Sequence, residues 1–315
     1  MLIATEVSMS LPQLCLFLGL ACAVFGSHEA VGEDRYPVRQ LTSNPAQEGF
    51  PYWSPDGSCI VFSSGAVEDT IGLWIVSADG AERRRLTTEI GEHPTWSPDG
   101  HYIVFDGDSG NSIKIVSPSG GTPIRIVPDS VDIVRGGNPN WSPDARSIAF
   151  EGEGRSLQIL NLSRGTVRTV FVRDSTIIVP CCWSRTGNEV YFWLRPPNTR
   201  LSALWAVAST GESREILPLT SGRAYRYADL SPDGSMLAFT ACEGRTCDIW
   251  VMPAGGGDAV QLTTHPALDE APRWSPDGTR IAFTSTRSQN FDVWVMDLDL
   301  HDLRSALGLP AVPGP

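Results

Sequence analysis

The chain has 315 residues, 41% of them apolar, with ten Trp and eleven Phe, and a formal net charge of −12. That apolar and aromatic mass supplies an ample core, and the acidic balance argues against a nucleic-acid groove or an anionic membrane surface as the partner. Positive charge is almost wholly arginine, with Lys114 the single lysine.

Residues 9–26 form an uncharged apolar stretch, short for a membrane span and ending in small residues. Residues 1–26 therefore read as an export signal cleaved after Gly26, although residues 1–8 carry Glu6 and no base. An uncleaved anchor and lipidation at Cys22 are the alternatives. Residues 27–36 read as an N-terminal tail.

From residue 53 on, one pattern organises the chain. Trp53-Ser54-Pro55-Asp56-Gly57 returns as Trp96 to Gly100, Trp141 to Ala145, Trp183 to Gly187, Leu230 to Gly234 and Trp274 to Gly278, with starts 43, 45, 42, 47 and 44 residues apart. Pro presets φ for a tight turn, Ser and Asp bond their own backbone, and Gly accepts positive φ, so each copy is a strand end and the turn into the next strand. Nine positions after each start stands a Phe: Phe62, Phe105, Phe150, Phe192, Phe239 and Phe283. The constant spacing locks the hairpin register. A third strand follows, as in Leu73 to Val76 and Ile249 to Met252, then a Gly-rich turn and a polar strand ending in Arg85-Leu86-Thr87 or Gln261-Leu262-Thr263. Four strands per copy at this period make a propeller blade, and six copies predict an all-β, six-bladed β-propeller with four-stranded blades over residues 37–306.

The sixth copy lacks a good fourth strand, whereas Val38-Arg39-Gln40-Leu41-Thr42 has one to spare: Leu41 lies 12 residues before Trp53, as Leu262 lies 12 before Trp274. This N-terminal strand is expected to complete the last blade and close the ring, removing an exposed pairing edge. The tail after Leu298, with residues 307–315 beyond the ring, is expected to be loosely packed. Copies three and four depart from the pattern, with Ala145 in place of the turn Gly, Arg185-Thr186 in place of Pro-Asp, and a long loop around Arg195-Pro196-Pro197-Asn198.

The repeat resembles the Ser-Pro-Asp-Gly type of WD-like propeller repeat found in TolB-like extracytoplasmic proteins, over nearly all of the chain beyond about residue 37. The resemblance covers the propeller only: the α/β domain that precedes the propeller in TolB has no counterpart in the short stretch before Val38. It implies a periplasmic or secreted binding scaffold with a protein partner.

Of the five cysteines beyond residue 26, Cys242 and Cys247 flank a hairpin turn and are candidates for a disulfide, with two reduced thiols as the alternative. Cys59, Cys181 and Cys182 read as buried small hydrophobes. No nucleophile elbow, phosphate loop, zinc-peptidase helix or calcium loop occurs, so no catalytic, cofactor or metal residues are assigned; a metal shared by His93 and His265 at the mouth is a remote alternative. The candidate site is the mouth of the central channel. The loops entering the innermost strands offer Glu48, Glu92 with His93, Arg135 with Asn138, Tyr225 with Arg226, and Asp269 with Glu270, beside an apolar lip at Ile177, Ile178 and Val179. Such a mouth suits a peptide or small polar ligand, and the expectation is a protein or peptide partner bound by a monomer. An enzyme acting on a polysaccharide or peptide through mouth carboxylates, or a sensor module of a signalling or peptidase system, is the runner-up.

Overall fold

The computed structural model describes residues 33–65, 72–108, 111–128, 137–152, 155–219 and 222–311. The expected export signal and Arg135 lie outside them. The described chain forms six four-stranded antiparallel sheets, each made of strands consecutive in sequence except the last. Blade 1 is typical: Gln47–Trp53 (strand a, innermost), Cys59–Gly65 (b), Gly72–Ser77 (c) and Arg83–Arg85 (d, outermost).

The turn from strand a to strand b is built as its sequence dictates. Ser54 Oγ donates to Asp56 Oδ1 (2.6 Å), that oxygen accepts from Ser58 N (3.0 Å), and Ser54 Oγ accepts from Cys59 N (3.1 Å). The same bonds recur around Asp99, Asp144, Asp233 and Asp277. These bonds hold each of the five carboxyls below its usual pKa, against the opposing effect of burial. The Phe nine residues on is buried in every blade, at 0–2% exposure, where it fills the gap between neighbouring sheets. Six such gaps, rather than one central core, hold the ring together.

Strand Val38–Gln40 pairs with Asp292–Asp297, so the N-terminal strand is the outer strand of blade 6. The Leu-Thr pair that ends it behaves as its counterparts do. Thr42 Oγ1 accepts from Val293 N (3.0 Å), as Thr87 Oγ1 does from Leu73 N (3.0 Å) and Thr263 Oγ1 from Ile249 N (2.9 Å). The segment after Leu298 differs from expectation. It forms a helix, Leu300–Ala306, capped by Asp299. Leu303 is fully buried and Arg304 reaches Asp233 in blade 5 (2.8 Å), while Asp302 takes bonds from Arg35 and Tyr36 ahead of the closing strand. Apolar contact at Leu303 and these ion pairs hold a tail that composition alone marks as loose.

Two outcomes follow from this architecture. Deleting residues 37–42 should remove about five ladder and side-chain bonds at about 1 kcal/mol each. A melting temperature lowered by many degrees, with aggregation through the bared strand, is expected; an unchanged, monodisperse product would show that the ring closes without it. Ala145 holds φ 58°, in the left-handed region that Gly57, Gly100, Gly187, Gly234 and Gly278 occupy in the other turns. Ala145→Gly should therefore stabilise the protein by about 1 kcal/mol, read as a rise of roughly 2–4 °C on thermal melting.

Candidate functional site

Every strand a approaches the axis through an irregularity three residues before the repeat's first position. Phe50, His93, Asn138, Tyr227 and Ala271 stand there with φ between 41° and 56°. Pro180 stands there in blade 4, where the register also slips. A bulge re-aims the side chain it carries, here toward the axis. Left-handed backbone costs a non-glycine residue about 1–2 kcal/mol, so the ring maintains this geometry at five places against local preference.

The side chains so aimed close the channel. The Phe50 ring lies 4.1 Å from the His93 ring and 5.8 Å from Tyr227, centroid to centroid. One layer deeper, Arg273 of blade 6 crosses to blade 4 and donates to the Cys181 carbonyl (3.2 Å), with Asp229 3.7 Å away and the Tyr52 ring beneath it. The free volume left among these residues is ≈ 10 Å³, about the space of one water.

Beside this plug sits a buried polar group. His93 Nδ1 is 2.9 Å from Asp106 Oδ2. Burial pushes the imidazole pKa down, but the charge and hydrogen bond of Asp106, with Glu92, more than offset it, so it sits above its usual value. Glu151, which occupies the position of Asp106 in the next blade, is pushed up to about 8 by burial, against the pull of Arg155 and His93. It is thus protonated at neutral pH.

The structure separates the residues expected at the mouth into two sets. Glu92, Arg226 and Glu270, four before the repeat start, share the mouth side of strand a, and Arg226 lies 3.7 Å from the buried Glu270. Glu48, Tyr225 and Asp269, five before it, point between blades. Glu48 is fully buried on Arg83 (2.5 Å), Asp269 on Arg287 (2.6 Å), and Tyr225 packs edge-on against Phe239. Side chains alternate along a strand, so adjacent residues cannot both face the mouth. His93 and Asn138 line the plug, and Arg135 is outside the described residues. Of the apolar lip, Ile178 and Val179 are buried and Ile177 is half-buried. His265 is engaged within its own loop, accepting from Ala267 N.

Cys242 and Cys247, paired in register at the hairpin, form a disulfide. Glu270 lies beside it, and among the described residues these three are the grouping close enough to hold an ion, but the sulfurs are committed to each other. Among the residues that sequence reasoning passed over are Phe50, Tyr227, Arg273, Asp106 and Glu151. Aligning the six copies by column would have found the last two, as charged residues directly after the repeat Phe.

These features define a six-bladed β-propeller in which, among the described residues, side chains from several blades meet near the axis and charge rims the mouth face. Over part of its length the chain is similar to TolB propellers. A family model described as the TolB beta propeller domain matches residues 227–306. The Tol-Pal system protein TolB of Anaeromyxobacter dehalogenans (strain 2CP-1) is 38% identical over 110 residues, which are 35% of this chain and 24% of that protein, so the match spans about a quarter of the relative. Among solved structures, TolB from Acinetobacter baumannii superposes with a TM-score of 0.58 at 17% identity, covering 81% of this chain and 64% of that one. An oligogalacturonate lyase in complex with manganese gives 0.60 at 14% identity, covering 84% and 94%. These two likenesses speak to the fold alone.

The buried Glu151 carries a pH signature. Folded, it holds its proton up to about pH 8; unfolded, it loses it near its ordinary 4.5. The folded protein binds the extra proton between those values, so stability falls as pH rises through that window. In Glu151→Gln the fall from about pH 5 to about pH 9 should be shallower, with a gain over wild type on the order of a few kcal/mol at the alkaline end. Parallel melting curves for the two proteins across that range would show that the carboxyl ionises freely in the fold.

Proposed function

We propose that this protein is a non-catalytic, extracytoplasmic binding scaffold that recognises a protein or peptide on the mouth face of its propeller. The plugged channel carries this reading. Among the described residues the space left at this plug is about that of one water, which favours a ligand met at the surface. Hydrolysis by paired carboxylates needs two acids flanking a substrate. Here Asp106 is engaged with His93 and Glu151 is buried, which favours binding over catalysis. The Tol-Pal name of the curated relative and the apolar stretch at residues 9–26 support an envelope partner and a periplasmic or secreted location. Among the described residues no helix is long and apolar enough to cross a membrane.

Site-specific photocrosslinking in the native host tests the reading. A benzophenone amino acid at Glu92, on the mouth, should yield a discrete crosslinked product that the same group at Glu215, on an outer strand, does not. Equal products from both positions, or a product from Glu215 alone, would move recognition to the blade sides.

A further inference from the structure

Acids outnumber bases in this chain by 36 to 24, and a number of its arginines pair with them. Arg35, Arg83, Arg214, Arg223, Arg287 and Arg304 each pair with a carboxylate. Between blades 3 and 4 on the mouth face three arginines without such partners gather in one cleft. A cleft of about 570 Å³ is lined by Arg155, Ile177, Arg195, Pro196, Pro197 and Arg200. Among the described residues none of its three arginines makes an ion pair with a carboxylate. Arg226 of blade 5, itself 3.7 Å from Glu270, stands close by: burial lowers the Arg195 pKa, and repulsion from Arg226 and Arg155 lowers it further. Glu151, on whose carboxyl Arg155 acts, is held neutral by its burial.

The cleft is also built in advance of any ligand. Arg195 closes the strand pairing opposite Ile177, and two prolines then fix the backbone of the loop. Thr199 Oγ1 accepts from Leu201 N (3.0 Å), and Ser202 ties the loop's end to blade 5 by a bridge to Ala224 and a bond to the Tyr225 carbonyl (2.7 Å). Collecting like charges in a rigid cleft is costly unless an anion relieves it, and a rigid cleft spends less ordering free energy on binding.

We infer that this cleft binds an acidic peptide segment, with Arg155, Arg195 and Arg200 taking its carboxylates and Ile177 and Pro196 packing against its aliphatic parts. The volume suits a few residues, and arginine forks match carboxylates in pairs. Among the described residues no aromatic side chain lines the cleft, so neither a base nor a sugar ring has a surface there on which to stack. This deepens the proposed mouth-face recognition and rests on it.

The probe is a fluorescein-labelled hexaglutamate peptide, followed by anisotropy at roughly 50 mM salt, where screening is weak. Saturable binding to the intact protein is expected, weakened at least about tenfold in Arg155→Gln/Arg195→Gln. Arg146→Gln/Arg164→Gln, in exposed turns at the opposite end of blade 3, should leave affinity unchanged, and melting curves should show all three proteins folded. Absence of saturable binding, or equal weakening by both pairs, overturns the inference. So does trigalacturonate binding more tightly with the same arginine dependence, since the cleft would then be an acidic-sugar site. A crosslinked partner at Glu92 without hexaglutamate binding refutes the cleft and leaves the mouth-face reading standing; failure of both refutes the reading itself.

Discussion

The turn between the two inner strands does more than reverse the chain. On the face opposite the mouth, the turn of each blade abuts the turn of its neighbour. A Cβ added to Gly57 would meet the Pro276 ring at 3.7 Å, one on Gly187 the Pro143 ring at 3.6 Å, and one on Gly278 the Pro232 ring at 3.5 Å. These are ordinary van der Waals distances, so positive φ is what calls for glycine, while the turn lies in packing range of the proline before it in the ring and the Ser–Asp bonds keep both in place. Local turn chemistry and inter-blade packing are one constraint. Copy four shows how it is met when the sequence drifts. Arg185, standing where proline belongs, lies against Gly234 and donates to the carbonyls of Leu230 and Ser231 in the next turn. The departure from consensus is compensated by two bonds that proline cannot make.

At the other end of the blades the ring behaves differently. Five non-glycine residues held in left-handed backbone, an arginine spanning from blade 6 to blade 4, and a His–Asp pair are features that stability alone would not select. They fill the axis with side chains, so the mouth is a floor rather than a passage. Charge on that floor is uneven: Glu92 and Glu270 belong to blades 2 and 6, and the unpaired arginines to blades 3 and 4. A surface of this kind selects by electrostatic pattern and orientation more than by depth.

How far the sequence could be read follows from this division. The turn, the buried Phe and the closing strand rest on spacings of 9 and 12 residues that recur unchanged, and each is local enough to be seen in one chain. Even the donated strand was visible, because Leu41-Thr42 carries the same threonine cap as Leu86-Thr87 and Leu262-Thr263. The mouth was less legible. Whether Asp269 or Glu270 faces it depends on a single-residue phase, and the bulge at Ala271 that marks that phase has no composition of its own, being Phe, His, Asn, Tyr or Ala in different blades. The plug arginine and the cleft arginines arise from contacts between copies distant in sequence, so no spacing announces them. The tail helix was hidden for a similar reason: Leu303 earns its place only against blades already assembled.

Closure by Val38–Gln40 also has a temporal meaning. The segment made near the beginning of the chain must remain unpaired until Asp292–Asp297, near its end, has emerged, because no other blade has a vacant outer position. Each of the first five blades can form from consecutive residues during synthesis, but the ring cannot lock until some 250 residues separate its two halves of the clasp. An unlocked ring is a chain that can still be threaded. The same antiparallel pairing that gives the mature protein its seam therefore acts, earlier, as a delay.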